Sequence, residues 1–232
     1  GGDIVGTPTV ADGLVFVALP TGDGLFVIDA ATGEEVSQLT GLVGGAATPS
    51  SVTNGSIYVG GKDSNAFYRI DIESGEVAWK LDVGSTMLAG PAVVGGVVYG
   101  GLNDGRVLAI DSDTGQLLWS FATDGLIEFG PSVANGVVYA STDTGGVYAI
   151  GGIGRGTLIA SPMAEASAAT PIASLIADST QPQFLWASDA GGMIAGVMDV
   201  EVLQDGNVMV ADGEQVIVMS PDGEFVEIFG TP

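Results

Sequence analysis

The chain has 232 residues and contains neither cysteine nor histidine, so disulfides, thiolate metal sites and imidazole general bases are excluded. Its net charge of −23 comes from 28 acids against five bases, Lys62, Arg69, Lys80, Arg106 and Arg155. That balance leaves no basic cluster for phosphate neutralisation, so no nucleic acid is expected as a partner, and it disfavours anionic membrane surfaces. Apolar residues make up 46 % of the sequence, in short runs broken by Gly, Asn and Asp. No run approaches the roughly 18 to 20 residues of a membrane span, so no membrane insertion is expected. The acidic surface suits an extracellular or cell-surface protein, with the periplasm included. The opening Gly1-Gly2-Asp3 carries no basic or apolar leader and reads as a mature form or a piece of a longer protein.

Taken in order, the sequence is a succession of short strands and tight turns. Proline recurs at Pro8, Pro49, Pro91, Pro131 and Pro171, at steps of 41, 42, 40 and 40 residues. Lacking an N–H, it belongs at a strand start or an edge. A hairpin dipeptide follows each of the first four: Asp12-Gly13, Asn54-Gly55, Gly95-Gly96 and Asn135-Gly136. Such pairs reach positive φ at little cost, as two-residue turns between twisted strands require. An aromatic then falls in the second strand, at Phe16, Tyr58, Tyr99 and Tyr139. Asp-x-x-x-Gly links the third and fourth strands at Asp29–Gly33, Asp71–Gly75 and Asp111–Gly115. Tryptophan follows at Trp79 and Trp119, with Ser37 in the first copy, and is expected to pack between neighbouring units.

The clearest copy is Gly90–Phe121, with strands PAVV, VVYGG, RVLAI and QLLWSF. An all-strand repeat of about forty residues predicts an all-β fold, a β-propeller of four-stranded antiparallel blades. The fourth copy keeps VVYAS and GVYAI, then runs into GGIGRGTLIASP, read as a degenerate turn and last strand, and the small-residue stretch MAEASAATPIAS. FLWAS (184–188) and GMIAGVM (192–198) read as strands, and 199–230 reads as a complete four-strand unit with its hairpin at Asp205-Gly206. That hairpin lies 70 residues after Asn135-Gly136, between one repeat and two. Because Pro171 keeps the beat, the preferred division is one domain, 1–232, of six blades: 1–44, 45–86, 87–126, 127–164, a truncated 165–198, and 199–232. Five blades, one carrying an insertion of about thirty residues, is the alternative.

The unit VLAIDSDTGQLLWSF, preceded by GVVYGGLNDG, resembles the repeat of the pyrroloquinoline-quinone-type (quinoprotein-like) propellers, a superfamily with both dehydrogenases and a non-enzymatic outer-membrane assembly lipoprotein. The resemblance is good over residues 7–125, fair to about 160 and lost beyond. The last unit, with DGNVMVAD and SPDGEF, resembles NHL or lactonase-type repeats. Both resemblances imply radial four-stranded blades and specify a fold more than an activity. The quinoprotein dehydrogenases have eight blades, a vicinal cysteine pair and calcium ligands. This sequence has no cysteine and no position to which those residues carry over, so no cofactor is expected.

The remaining motifs have simpler explanations in the turns. Asp111-Ser-Asp113-Thr-Gly115 spaces its acids like a calcium loop, but Ala122 stands where the twelfth-position acid is required, and the parallel turns DAATG and DIESG offer fewer oxygens. Gly151–Gly156 fits no phosphate loop, since Thr157 takes the last glycine's place, and Gly61-Lys62 lacks the first glycine (Ser56) and the following Ser or Thr (Asp63). Asp63, Asp104, Asp143 and Asp222 fall beside turns, with no spacing that marks a carboxylate pair. A Ser–Lys pair would need Lys62 or Lys80, and Asn54-Gly-Ser56 is a glycosylation sequon inside a hairpin. No catalytic, cofactor or metal residue is assigned. The expectation is a non-catalytic structural or protein-interaction module, with protein partners, self-association included, as in a filament. The alternatives are an enzyme or small-ligand or cation binder using the central channel, and a fragment of a longer propeller.

Overall fold

The computed structural model describes residues 8–18, 25–39, 51–61, 64–151, 183–188, 194, 197, 199–213 and 215–230. Among them are twenty strands and no helix, hence no helix long and apolar enough to cross a membrane. They form five four-stranded sheets in simple meander order. Sheet 1 holds β1 (Thr9–Ala11), β2 (Leu14–Ala18), β3 (Leu25–Asp29) and β4 (Glu35–Leu39). Sheet 2 holds β5 (Ser51–Thr53), β6 (Ser56–Gly61), β7 (Ala66–Asp71) and β8 (Val77–Asp82). Sheet 3 holds β9 (Ala92–Val94), β10 (Val97–Gly101), β11 (Arg106–Asp111) and β12 (Leu117–Ala122). Sheet 4 holds β13 (Ser132–Ala134), β14 (Val137–Ser141), β15 (Val147–Gly151) and β16 (Gln183–Ser188). Sheet 5 holds β17 (Asp199–Val202), β18 (Val208–Ala211), β19 (Gln215–Met219) and β20 (Phe225–Gly230). The molecule divides into two compact units, Gly1–Gly100 with Asp111–Gln116, and Gly101–Ile110 with Leu117–Pro232.

The repeated motifs take the conformations their chemistry prescribes. Asp12-Gly13, Asn54-Gly55, Gly95-Gly96 and Asn135-Gly136 have positive φ at both residues and close two-residue hairpins. Pro8, Pro91 and Pro131 stand immediately before β1, β9 and β13, where no ladder N–H is wanted. Pro49 and Pro171 lie outside the described residues. Cores form where one sheet covers the next. Phe16, Leu25 and Val27 of sheet 1 pack on Ile57, Val59 and Ile70 of sheet 2. Val137, Val147 and Ala149 of sheet 4 pack on Val208, Val210, Ile217 and Met219 of sheet 5.

The second half departs from the expected division. FLWAS does not open a truncated fifth unit. Gln183–Ser188 pairs antiparallel with Val147–Gly151 and is the outer strand of sheet 4. Residues 152–182, between β15 and β16, lie outside the described residues, and with them the last strand expected within 151–162. Of GMIAGVM, Ile194 and Val197 are described and neither is in a strand. A side chain on Gly145 would meet the Ile194 carbonyl at 2.8 Å, just as one on Gly105 would meet the Gly125 carbonyl at 2.7 Å. The two approaches are equivalent, so Ile194 belongs to the connection after β16 as Gly125 belongs to the connection after β12. Asp205-Gly206 is also a different turn from the earlier hairpins. Only Gly206 has positive φ, and its N–H donates to the Leu203 carbonyl at 2.9 Å, the geometry of Gly105 on Leu102. The 70-residue interval thus compared two unlike turns, and the described residues form five sheets.

Candidate functional site

The calcium-like turn is a capped turn. Asp111 Oδ1 accepts the Asp113 amide at 3.1 Å, the Thr114 amide at 2.9 Å and the Thr114 hydroxyl at 2.9 Å. Asp29 is bonded in the same way by Ala31 and Thr32, and Asp71 by Ser74. These bonds to the charged form hold Asp29 below the usual carboxylate range, chiefly through the Thr32 amide, and Asp71 likewise through the Ser74 amide. Asp113 points away, its side chain 67 % exposed and 3.9 Å from Arg69 Nη1. Among the described residues no three acids converge as a metal site would require.

The same turn receives a latch from sheet 2. The Ser112 carbonyl accepts Trp79 Nε1 at 2.9 Å, Tyr58 Oη at 3.4 Å and Arg69 Nη1 at 3.4 Å, and Arg69 Nε donates to Ser56 Oγ at 3.0 Å. The Tyr58 and Trp79 rings lie 6.1 Å apart at 49°. Gly115 has φ 72°, and a side chain there would meet Trp79 Cδ2 at 2.7 Å. The turn glycine is needed both for its conformation and for the ring beside it. Burial first, then the charge of Asp222 in the β19–β20 turn, pushes Tyr139 up.

A second polar cluster joins the β12–β13 connection to the β14–β15 turn. Thr142 and Thr144 hydroxyls donate to Asp124 Oδ1 at 3.4 and 3.2 Å and lie 2.8 Å apart. Asp143 Oδ1 accepts the Leu126 amide at 2.7 Å, and Tyr148 Oη accepts the Asp124 amide at 3.2 Å. Burial, then Asp124, pushes the Tyr148 phenol up, so it stays neutral at physiological pH. Inner strands are also tied by serine: Ser132 Oγ donates to the Val200 carbonyl at 2.6 Å, and Ser51 Oγ to the Pro91 carbonyl.

Of the acids considered from sequence, Asp104 is held by Arg106, whose Nη2 lies at 2.6 Å, and Asp143 caps Leu126. Lys80 pairs with Asp82 at 2.7 Å, and this bond raises its pKa. Lys62, Asp63 and residues 152–156 lie outside the described residues. Sequence reasoning did not single out Arg69, Asp124, Thr142, Thr144 or the two serines. The available signal was the change from Asn103-Asp-Gly in sheet 3 to Thr142-Asp-Thr-Gly in sheet 4, opposite an Asp-Gly in the preceding connection.

The described sites therefore define a protein class built of repeated four-stranded sheets locked turn to ring, a β-propeller of the PQQ type. The family model described as "Outer membrane protein assembly factor BamB" matches residues 5–190, and this protein belongs to that family. The match ends just past β16, so sheet 5 lies beyond it. No curated protein sequence matches it. Among solved structures, BamB from Moraxella catarrhalis is similar with a TM-score of 0.68 and 19 % identity, over 98 % of this sequence and 62 % of that one. The computationally designed Ika8 protein gives 0.63 and 16 %, over 97 % and 57 %. Quinohemoprotein alcohol dehydrogenase ADHIIG from Pseudomonas putida HK5 gives 0.68 and 16 %, over 97 % and 41 %. The 232 residues thus span less than two thirds of each of these structures, and at such identities the likeness carries the fold alone.

Proposed function

We propose that this is a non-catalytic protein-interaction propeller acting outside the cytoplasm, at the periplasm or cell surface. The observation that carries the reading is how its polar side groups are used. At the described candidate sites Asp29, Asp71 and Asp111 cap their own turns, Arg69 ties sheet 2 to the 111–116 turn, and Thr142 and Thr144 tie their turn to Asp124. Large apolar residues meanwhile stand at the surface, among them Leu88, Leu126, Val94, Phe225 and Phe229. The family description, an outer-membrane protein assembly factor, supports a partner in an assembly machine over a small-molecule substrate. Self-association into a larger array is the narrower form of the same reading.

In-cell photo-crosslinking from positions 88, 126, 225 and 229 tests this reading. The expected result is a discrete protein adduct from at least one position, lost when the neighbouring apolar residue is changed to Asp. Light scattering on purified protein decides the self-association form, which a monomer at high concentration would sink. Turnover of a small substrate by the purified protein would overturn the non-catalytic reading.

The share of the solved structures that these residues span supports one further reading, that they are part of a longer propeller. Sequencing the complete gene tests this, and an open reading frame ending at these five sheets would remove it.

A further inference from the structure

We propose that Asn54 and Asn135 are sites of spontaneous deamidation, which turns two of the hairpins into slow, irreversible points of modification; this is independent of the proposed function. Five asparagines are present, and only these two precede glycine. Both are exposed and sit at positive φ, 49° and 51°, at the tip of a two-residue turn. A side chain on Gly55 would meet nothing within 4 Å beyond its chain neighbours, so the tip of this turn is uncrowded. The other three asparagines are held or followed by a bulkier residue. Asn65 and Asn103 have buried side-chain oxygens and precede Ala66 and Asp104, and Asn207 Nδ2 donates to Asp205 at 3.1 Å.

In the reaction the Gly55 backbone nitrogen attacks Asn54 Cγ. A new bond forms between that nitrogen and Cγ, the Cγ–Nδ2 bond breaks, and the Gly55 amide proton leaves with the departing ammonia. Water then opens the five-membered imide. Cleavage at Cγ yields aspartate, and cleavage at the main-chain carbonyl yields isoaspartate with an extra methylene in the backbone. Either product adds one negative charge. The fold already accepts the first product, because Asp12-Gly13 closes the same turn at φ 51° and 76°. It does not accept the second, since a longer turn breaks the Thr53–Ser56 pairing. Ser56 is the residue whose hydroxyl is held by Arg69 Nε at 3.0 Å, so isoaspartate at 54 loosens the latch on the Ser112 carbonyl. That hold also leaves the Asn54-Gly-Ser56 sequon with a buried hydroxyl, so in the folded protein Asn54 is a deamidation site and not a glycan acceptor.

The test is incubation of the folded protein at neutral and mildly alkaline pH, followed by site-resolved peptide mass spectrometry and isoaspartyl methyl-transfer labelling. Conversion is expected at 54 and 135, faster at the higher pH, ahead of 65, 103 and 207. N54D is expected to fold normally, to remove the deamidation mass change at 54 while leaving that at 135, and to slow isoaspartyl labelling at 54, because an Asp-Gly pair closes the same imide with loss of water. Two results would overturn the proposal: no conversion at either site in the folded protein while urea-denatured protein converts at both, or conversion spread evenly over all five.

Discussion

Two sheet junctions in this molecule are built from opposite materials. In the first unit, sheet 2 holds the 111–116 turn through directional bonds, with Trp79, Tyr58 and Arg69 converging on the Ser112 carbonyl. In the second unit, sheets 4 and 5 meet through a continuous apolar face, Val147, Val208, Val210, Ile217 and Met219, and among the described bonds the Ser132 hydroxyl on Val200 ties their inner strands. The directional junction leaves a mark in the sequence, Trp79 and the Asp111–Gly115 turn, because each donor and acceptor must sit at a fixed register position. The apolar junction asks only for hydrophobic residues on one face of a strand, and many sequences satisfy that.

The largest effect is expected at Trp79, which is buried and anchors the first junction. Trp79→Ala is expected to cost about 3–5 kcal/mol, read as a lower midpoint in urea unfolding. Hydrogen exchange makes the comparison spatial. Protection is expected to fall in β6–β8 while β17–β20 keep theirs. Ile217→Ala is the mirror experiment, expected to cost about 2–4 kcal/mol and to expose sheets 4 and 5 instead. Equal loss of protection across all five sheets in either variant would remove the distinction between the junctions.

Those two residues also mark what was legible in the sequence. Trp79, the Asp-x-x-x-Gly turns and the hairpin dipeptides each announce a local conformation, so sheets 1 to 3 and their spacing were readable. The outer strand of sheet 4 was not. Residues 152–182 separate it from its partner β15, and a strand paired across such an interval carries no local sign of which neighbour it joins. Sheet 5 was readable as four strands, but its Asp205-Gly206 looked like an earlier hairpin when it is the longer turn type that also occurs at Asp104-Gly105. The cluster at Asp124 was invisible for a further reason: its members come from two connections, and each alone is an ordinary turn residue.

A glycine sharpens the first junction from another side. A side chain on Gly100 would lie 2.0 Å from Cζ of the buried Phe67. Gly100→Ala is expected to cost about 1–3 kcal/mol by overpacking, and the pair Gly100→Ala with Phe67→Leu to recover part of it. Arg69→Met comes next, at about 1 kcal/mol, because Arg69 is partly solvated and the bonds lost are those to Ser56 and to the Ser112 and Asp113 carbonyls, with a solvated ion pair to Asp113. A double-mutant cycle of Arg69→Met with Ser56→Ala is expected to show coupling, and strict additivity would mean that the two residues act independently.

The smallest effect is a pH response that separates two kinds of turn cap. Turns of sheets 1 and 2 are capped by carboxylates, Asp29 and Asp71, and bonds from turn amides and hydroxyls hold both below their ordinary pKa. A carboxylate lowered in the folded state contributes stability that is present above its unfolded pKa and lost as the pH falls through the folded one. The β19–β20 turn is capped differently: the Asp222 and Glu224 amides donate to Ser220 Oγ at 3.3 and 3.1 Å, and a hydroxyl does not titrate in this range. Lowering the pH below the ordinary aspartate value is therefore expected to speed exchange of the Thr32 and Ser74 amides relative to those of Asp222 and Glu224, whose hydroxyl cap stays in place. Both carboxylate caps are half-buried in turns at the sheet ends, so the response is expected in the turns and not in global stability. Asp71→Ser, which replaces the carboxylate with the cap that sheet 5 already uses, is expected to remove the pH dependence at Ser74 while keeping the turn closed. If Ser74 still titrates in that variant, Asp71 is not its source and the contrast between the two kinds of cap fails.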